Sequence, residues 1–219
     1  MDIAILLYQR LTALDAIGPY EVLSRLPDAN VKFVASEAGP VITDNGMLTL
    51  VAGHALEEVE RADIVLVPGG PGEVAARAGE PVLEWLRKVD QTSTWTTSVC
   101  TGSLILAAAG LLAGKRATSH WLALEQLGRL GARAVSERVV FDGKIVTAAG
   151  VSAGIDMALA LAARVAGDAV AQAIQLGIEY DPQPPFDAGS PEKAPPEVVE
   201  LLRGGSRFRG AKESLAPPG

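Results

Sequence analysis

Thr92-Ser93-Thr94-Trp95-Thr96-Thr97-Ser98-Val99-Cys100-Thr101-Gly102-Ser103-Leu104-Ile105-Leu106 changes character within three residues. Up to Val99 it is β-branched and strand-like, whereas residues 102–112 are rich in Ala and Leu and read as a helix. The turn between them carries Cys100 with a glycine two residues later, the spacing of an elbow that lifts a nucleophile above the end of a sheet. Gly102 lets the helix approach closely behind the turn. At a helix N-terminus the macrodipole and free N–H groups favour the thiolate. A lone cysteine is more often an inert core residue; its place at this turn favours chemistry.

Outward from the elbow, strands and helices alternate. Residues 3–8, 31–36 and 62–67 read as buried parallel strands, with an edge or small hairpin at 46–51. Helical spacing marks residues 15–26, 81–89, 120–128 and 152–166, the last with Ser152 as N-cap. Residues 139–147 form a hairpin turning at Asp142-Gly143. This alternation predicts an α/β fold, a mostly parallel sheet covered on both sides, with its chemistry at the carboxyl ends of the strands. A domain over residues 1–180 is expected to be followed by an arm at 181–219. Pro182, Pro184, Pro185, Pro191, Pro195 and Pro196 exclude most of its length from core strand or helix. Its last dozen residues are expected to be poorly ordered.

With 48% apolar residues in a chain of 219, a continuous core is available. No apolar run reaches the ~18 residues needed to span a bilayer, and the N-terminus lacks the pattern of a signal peptide. A cytoplasmic location is the expectation. The net charge of −7, without a basic stripe, argues against a nucleic-acid partner. One cysteine excludes an internal disulfide, and two separated histidines, His54 and His120, suggest no metal site.

A thiolate needs a proton partner. Asp15 follows the first strand and falls near the carboxyl edge that carries Cys100; it is equally suited to cap the next helix. Gly69 and Gly70 follow the strongest strand. Their N–H groups, with that of Thr101, could form an oxyanion-hole-like pocket, or simply make a tight turn. Gly70-x-Gly72 does not continue as a dinucleotide fingerprint, so a nicotinamide cofactor is discounted. Thr101 is a substrate or carboxylate contact, or a cap. His120 is a further binding candidate, although histidines in such places are commonly structural; His54 reads as a surface residue.

Val67-Pro68-Gly69-Gly70, Cys100-Thr101-Gly102-Ser103, the run from Gly114 to Trp121 (GKRATSHW) and Ala153-Gly154-Ile155-Asp156 resemble the ThiJ/PfpI superfamily. The opening Leu11-Thr12-Ala13-Leu14-Asp15-x-x-Gly18-Pro19 and the tail Glu179-Tyr180-Asp181-Pro182-Gln183-Pro184-Pro185-Phe186 resemble its isocyanide hydratase branch. The resemblance covers roughly residues 2 to 195. It implies a flavodoxin-like three-layer sandwich, usually a homodimer, acting on a small-molecule substrate with no cofactor; no membrane partner is expected from the short apolar runs. It also implies an acidic partner for the nucleophile, which falls on Asp15. Protease-like members carry His directly after the cysteine; Thr101 stands there instead, so peptidase activity is not expected. Regulators of the AraC type share several of these motifs but continue into a helix-turn-helix domain, for which the tail ending at Gly219 leaves no room.

The resemblance thus implies hydration of an isocyanide to an N-substituted formamide, with Cys100 as nucleophile, Asp15 as proton carrier and Thr101 beside them. The same pair of residues suits glyoxalase- or deglycase-like chemistry on reactive aldehydes. A redox sensor without turnover, using an exposed low-pKa Cys100, is a third expectation.

Overall fold

The computed structural model describes residues 1–208. The expected poor order of the last dozen residues lies, for 209–219, outside the described residues. A seven-stranded sheet forms the centre, in the order β10 (Val139–Asp142), β11 (Ile145–Ala148), β7 (Trp95–Val99), β6 (Ile64–Val67), β1 (Asp2–Leu6), β2 (Asn30–Ala35) and β5 (His54–Ala55). All neighbours are parallel except the β10–β11 hairpin, which turns at Asp142-Gly143 as expected. The five long parallel strands, taken in chain order, lie 2-1-3-4-5, the flavodoxin arrangement. Their order reverses between β1 and β6, the position at which open α/β sheets generally place their site, beyond the carboxyl ends of the strands.

β6, Ile-Val-Leu-Val, is buried at every position because both faces of the sheet are covered. Helices α1 (Ala13–Leu23), α6 (Ala153–Ala166) and α7 (Asp168–Gly177) pack together. α4 (Gly102–Ala108) instead packs with α2 (Glu73–Ala76), α3 (Glu80–Asp90) and α5 (Leu124–Arg129). The result is the expected three-layer α/β sandwich. β3 (Gly39–Ile42) and β4 (Thr49–Ala52) form a separate hairpin, and β8 (Arg116–Ala117) pairs with β9 (Arg133–Ala134).

Several expectations need revision. The helix expected over residues 120–128 splits into a 3-10 turn, Trp121–Ala123, followed by α5. Ser152 occupies the N-cap position of α6 without a capping side-chain bond. α7 was not read from the sequence at all. Neither was α8 (Pro196–Gly204), within the proline-rich arm: prolines at and just before a first helical turn remove only N–H groups that have no helical acceptor. His54 lies on the edge strand β5, where it is half-buried.

Candidate active site

Cys100 stands between β7 and α4 with φ +56°, a left-handed backbone that a side chain adopts only when its surroundings impose it. Those surroundings are explicit. Its N–H is shared between the carbonyls of Ala148 (3.1 Å) and Ala149 (2.7 Å). Its carbonyl accepts from the hydroxyls of Ser103 (3.1 Å) and Ser119 (3.0 Å). A Cβ at Gly102 would lie 2.1 Å from the Val67 carbonyl oxygen, so the close approach behind the turn requires glycine.

Asp15 is the third residue of α1, and Thr12 occupies the N-cap position, so capping is not its role. Its side chain is fully buried and turned to the carboxyl edge of the sheet. Oδ2 accepts the Gly69 N–H at 2.9 Å, while Oδ1 is buried with no hydrogen-bond partner. Burial, reinforced by the Asp44 carboxylate and opposed by the Gly69 N–H and the Cys100 thiol, raises its pKa to about 7. The thiol and carboxyl are close enough for each to act on the other's proton affinity.

Desolvation, with the Asp15 charge beside it, pushes the Cys100 thiol well above its ordinary range. This corrects the expectation of a thiolate favoured by the helix terminus. The Thr101 N–H and hydroxyl do favour the anion, but burial outweighs them. The resting pair is therefore a neutral thiol beside a carboxyl poised near neutrality. An exposed, acidic sensor thiol is not what the fold presents: Cys100 is 6% exposed.

The glycines also differ from expectation. The Gly69 N–H holds Asp15, and the Gly70 N–H donates to Thr101 Oγ1 at 3.0 Å. Both are engaged with side chains of the site instead of standing free for a substrate oxyanion. His120 is turned aside: its Nδ1 accepts the Leu122 N–H at 3.3 Å, and its ring lies against Trp121 and the Gly150 backbone. It lines a cleft of about 440 Å³ that also reaches Leu14, Ser119 and Gly150. Among the described residues it makes no hydrogen bond to Cys100 or Asp15.

Two neighbours escaped sequence reading. Tyr8 donates its buried hydroxyl to the Pro68 carbonyl at 2.8 Å, and burial followed by the charge of Asp15 raises its pKa. Its place just beyond β1 was the available signal. Glu73, fully buried at the start of α2, pairs with Arg77 at 2.8 Å and with Arg207 of the arm at 3.1 Å. Nothing local in the sequence links residues so far apart. Among the described residues no group of three or more His, Cys, Asp or Glu could hold a metal ion, and no helix is long and apolar enough to cross a membrane.

Known proteins share this arrangement at the level of sequence and fold. The isonitrile hydratase of Pseudomonas putida is 45% identical over 203 residues, which is 93% of this chain and 89% of that protein. The transcriptional regulator CdhR of Pseudomonas aeruginosa is 35% identical over 161 residues, 71% of this chain but only 47% of the regulator. The crystal structure of a ThiJ/PfpI family protein from Pseudomonas syringae superposes with a TM-score of 0.91 at 37% identity, covering 96% of this chain and 89% of that one. The sequence model of the DJ-1/PfpI family matches residues 1–164, which contain the elbow, Asp15 and the glycine loop. On this breadth of agreement, the chain belongs to the DJ-1/PfpI family.

Proposed function

We propose that this chain is an isonitrile hydratase, adding water to an organic isonitrile to give an N-substituted formamide. The observation that carries the reading is the buried Asp15 carboxyl, poised near pH 7 with one oxygen pinned by Gly69 and the other unpartnered beside the Cys100 thiol. Similarity to the Pseudomonas putida enzyme over nearly the whole chain supports it.

In the first step Cys100 sulfur bonds to the terminal isonitrile carbon while Asp15 accepts the thiol proton. Asp15 then delivers that proton to the same carbon, leaving a thioimidate on Cys100. The carboxylate is regenerated and draws a proton from water as the water oxygen bonds to the carbon, and the nitrogen receives that proton. The carbon–sulfur bond breaks, the remaining hydroxyl proton returns to sulfur, and the formamide leaves. The balance is one isonitrile and one water to one formamide, without oxidation, and no step calls on a cofactor. Thr101 stabilises the sulfur whenever it carries charge. Gly69 and Gly70 act by holding Asp15 and Thr101. His120 is left as part of the cleft wall.

Hydration of para-nitrophenyl isocyanide by the wild type and by Cys100→Ala tests this. Turnover in the wild type and none in the variant is expected; a wild type that turns over only glyoxals would move the chemistry to aldehydes. We also read residues 1–180 as the catalytic domain, a cytoplasmic location as suited to an unpaired thiol, and a homodimer as the working form. Apolar Ile42, Met47, Leu48 and Val51, exposed on the β3–β4 hairpin, support the dimer. Light scattering that returns a monomer at micromolar concentration would refute it.

A further inference from the structure

Arg207 reaches back from the arm to residues 70–73, more than 130 positions away in the chain. Its guanidinium donates to the Pro71 carbonyl at 2.7 Å and to the Gly70 carbonyl at 3.3 Å, and meets Glu73 Oε1 at 3.1 Å. Arg77 engages the other Glu73 oxygen at 2.8 Å. The loop so gripped is the one whose opposite side holds the reacting groups, Gly69 N–H on Asp15 and Gly70 N–H on Thr101. Gly70 has φ +131°, where glycine has no side chain to resist rotation of the adjoining peptide units. Its carbonyl accepts from the Glu73 N–H at 3.1 Å and from Thr101 Oγ1 at 3.4 Å, and the Arg207 guanidinium adds the one charged donor that resists that rotation.

We propose that Arg207 is a positioning residue: by binding the Gly70 and Pro71 carbonyls and the Glu73 carboxylate, it fixes the peptide units that aim Asp15 and Thr101 at Cys100. The proposal deepens the hydratase reading by extending its site to a residue beyond the stretch that the family model matches. Arg207 acts through geometry rather than through its field on the proton carrier. The groups that act on Asp15 are burial, Gly69, Cys100 and Asp44, with Tyr8 facing it in turn. Arg207 itself faces Glu73, Tyr8 and His120. A shift in Asp15 on loss of Arg207 therefore reports a loosened Gly69 contact, which normally holds the Asp15 pKa down.

The test measures two things across pH in the wild type and in Arg207→Ala, Arg207→Lys and Arg203→Ala. One is kcat for isonitrile hydration. The other is the rate at which iodoacetamide alkylates Cys100, followed by intact mass. Alkylation reads the same proton whether or not an isonitrile is turned over, so failure of the hydratase reading shows as a wild type without turnover and leaves this test standing. In Arg207→Ala, kcat is expected to fall about tenfold, and both profiles to move upward by about half a pH unit. Arg207→Lys keeps the charge but replaces the rigid planar fork with donors on one nitrogen, which cannot span Gly70, Pro71 and Glu73 in the same geometry; it is expected to show a smaller shift of the same sign. Arg203→Ala alters the same arm at its Glu200 pair and is expected to leave both profiles in place. Unshifted profiles in Arg207→Ala would overturn the proposal, as would an equal shift in Arg203→Ala. Should Arg207→Ala fail to fold, Arg207→Lys decides, and profiles matching the wild type would refute the role.

Discussion

Two carboxylates, Asp15 and Glu73, are buried to the same degree at the same edge of the sheet, yet are treated in opposite ways. Glu73 has a guanidinium near each oxygen, Arg77 hydrogen-bonded to Oε2 and Arg207 at ion-pair distance from Oε1, which accepts no hydrogen bond, and burial still raises its pKa. Asp15 has no cation at all: one oxygen accepts the Gly69 N–H, and its only other partner is the neutral Cys100 thiol. Compensated charge makes Glu73 an anchor for the loop. Uncompensated charge makes Asp15 a carboxyl that exchanges its proton near pH 7, which a carrier of protons between sulfur, carbon and water requires.

The largest effect expected of this contrast is on turnover. Asp15→Asn should lower kcat at least about a thousandfold, since it removes both acid and base, and Glu73→Gln should lower it by no more than about tenfold. Comparable losses in the two would erase the distinction between carrier and anchor.

Stability should run the other way. The folded pKa of Asp15, about 7, lies above its unfolded value of 3.8, so the folded chain holds this proton more tightly. The stability gained is complete below about pH 4 and is lost as pH rises through about 7. At pH 8 Asp15→Asn, neutral and still able to accept the Gly69 N–H, should therefore be more stable than the wild type, by up to about 4 kcal/mol. Glu73→Gln should change stability by less than about 1 kcal/mol, because relief of a buried charge is offset by an arginine left without an acceptor. Thermal melting at pH 5 and pH 8 measures both; an Asp15→Asn variant no more stable at pH 8 would show that burial does not control this carboxyl.

Activity should follow the same proton. Because Asp15 must begin ionised to accept the thiol proton, kcat/KM should rise with pH along a limb centred near 7 and hold level above it while Cys100 remains a thiol. A profile that falls through pH 7 would mean that the acid form of Asp15 starts the reaction. A smaller effect belongs to Thr101→Val, which takes away the Gly70 N–H acceptor and one donor to sulfur; about a tenfold loss in kcat is expected. The smallest belongs to Ser119→Ala. One of the two hydroxyls on the Cys100 carbonyl is lost, and denaturant unfolding should register about 1 kcal/mol.

Much of this was legible in the residues. The elbow at Cys100 follows from a change of periodicity and one glycine, both local signals, and the alternation of strands with helices carried the sheet type. Asp15 was placed at the right edge, but spacing could not choose between a cap and a proton carrier; that choice depends on where α1 begins, and it begins at Ala13. For the N–H groups of Gly69 and Gly70 an oxyanion pocket and a plain turn stayed equally open, because their acceptors, Asp15 and Thr101, belong to other loops. His120 was a binding candidate in a place where histidines are commonly structural, and its Nδ1 is used by its own turn. The proline-rich arm read as irregular because composition averages over a stretch in which one helix begins at its prolines.

Backbone sterics and apolar periodicity act over a few residues, so order of elements, parallel pairing and the exposed turn at Cys100 were already written in the linear chain. Proton affinity obeys a different rule. The pKa of Asp15 and the neutral thiol of Cys100 arise from desolvation, which depends on every atom that excludes water from the site. Those atoms come from the ends of β1, β6 and β7 and the start of α1, with Arg207 of the arm behind the glycine loop. Folding is what brings these segments together, and only then do an ordinary aspartate and an ordinary cysteine come to share a desolvated site in which each shifts the other's proton affinity.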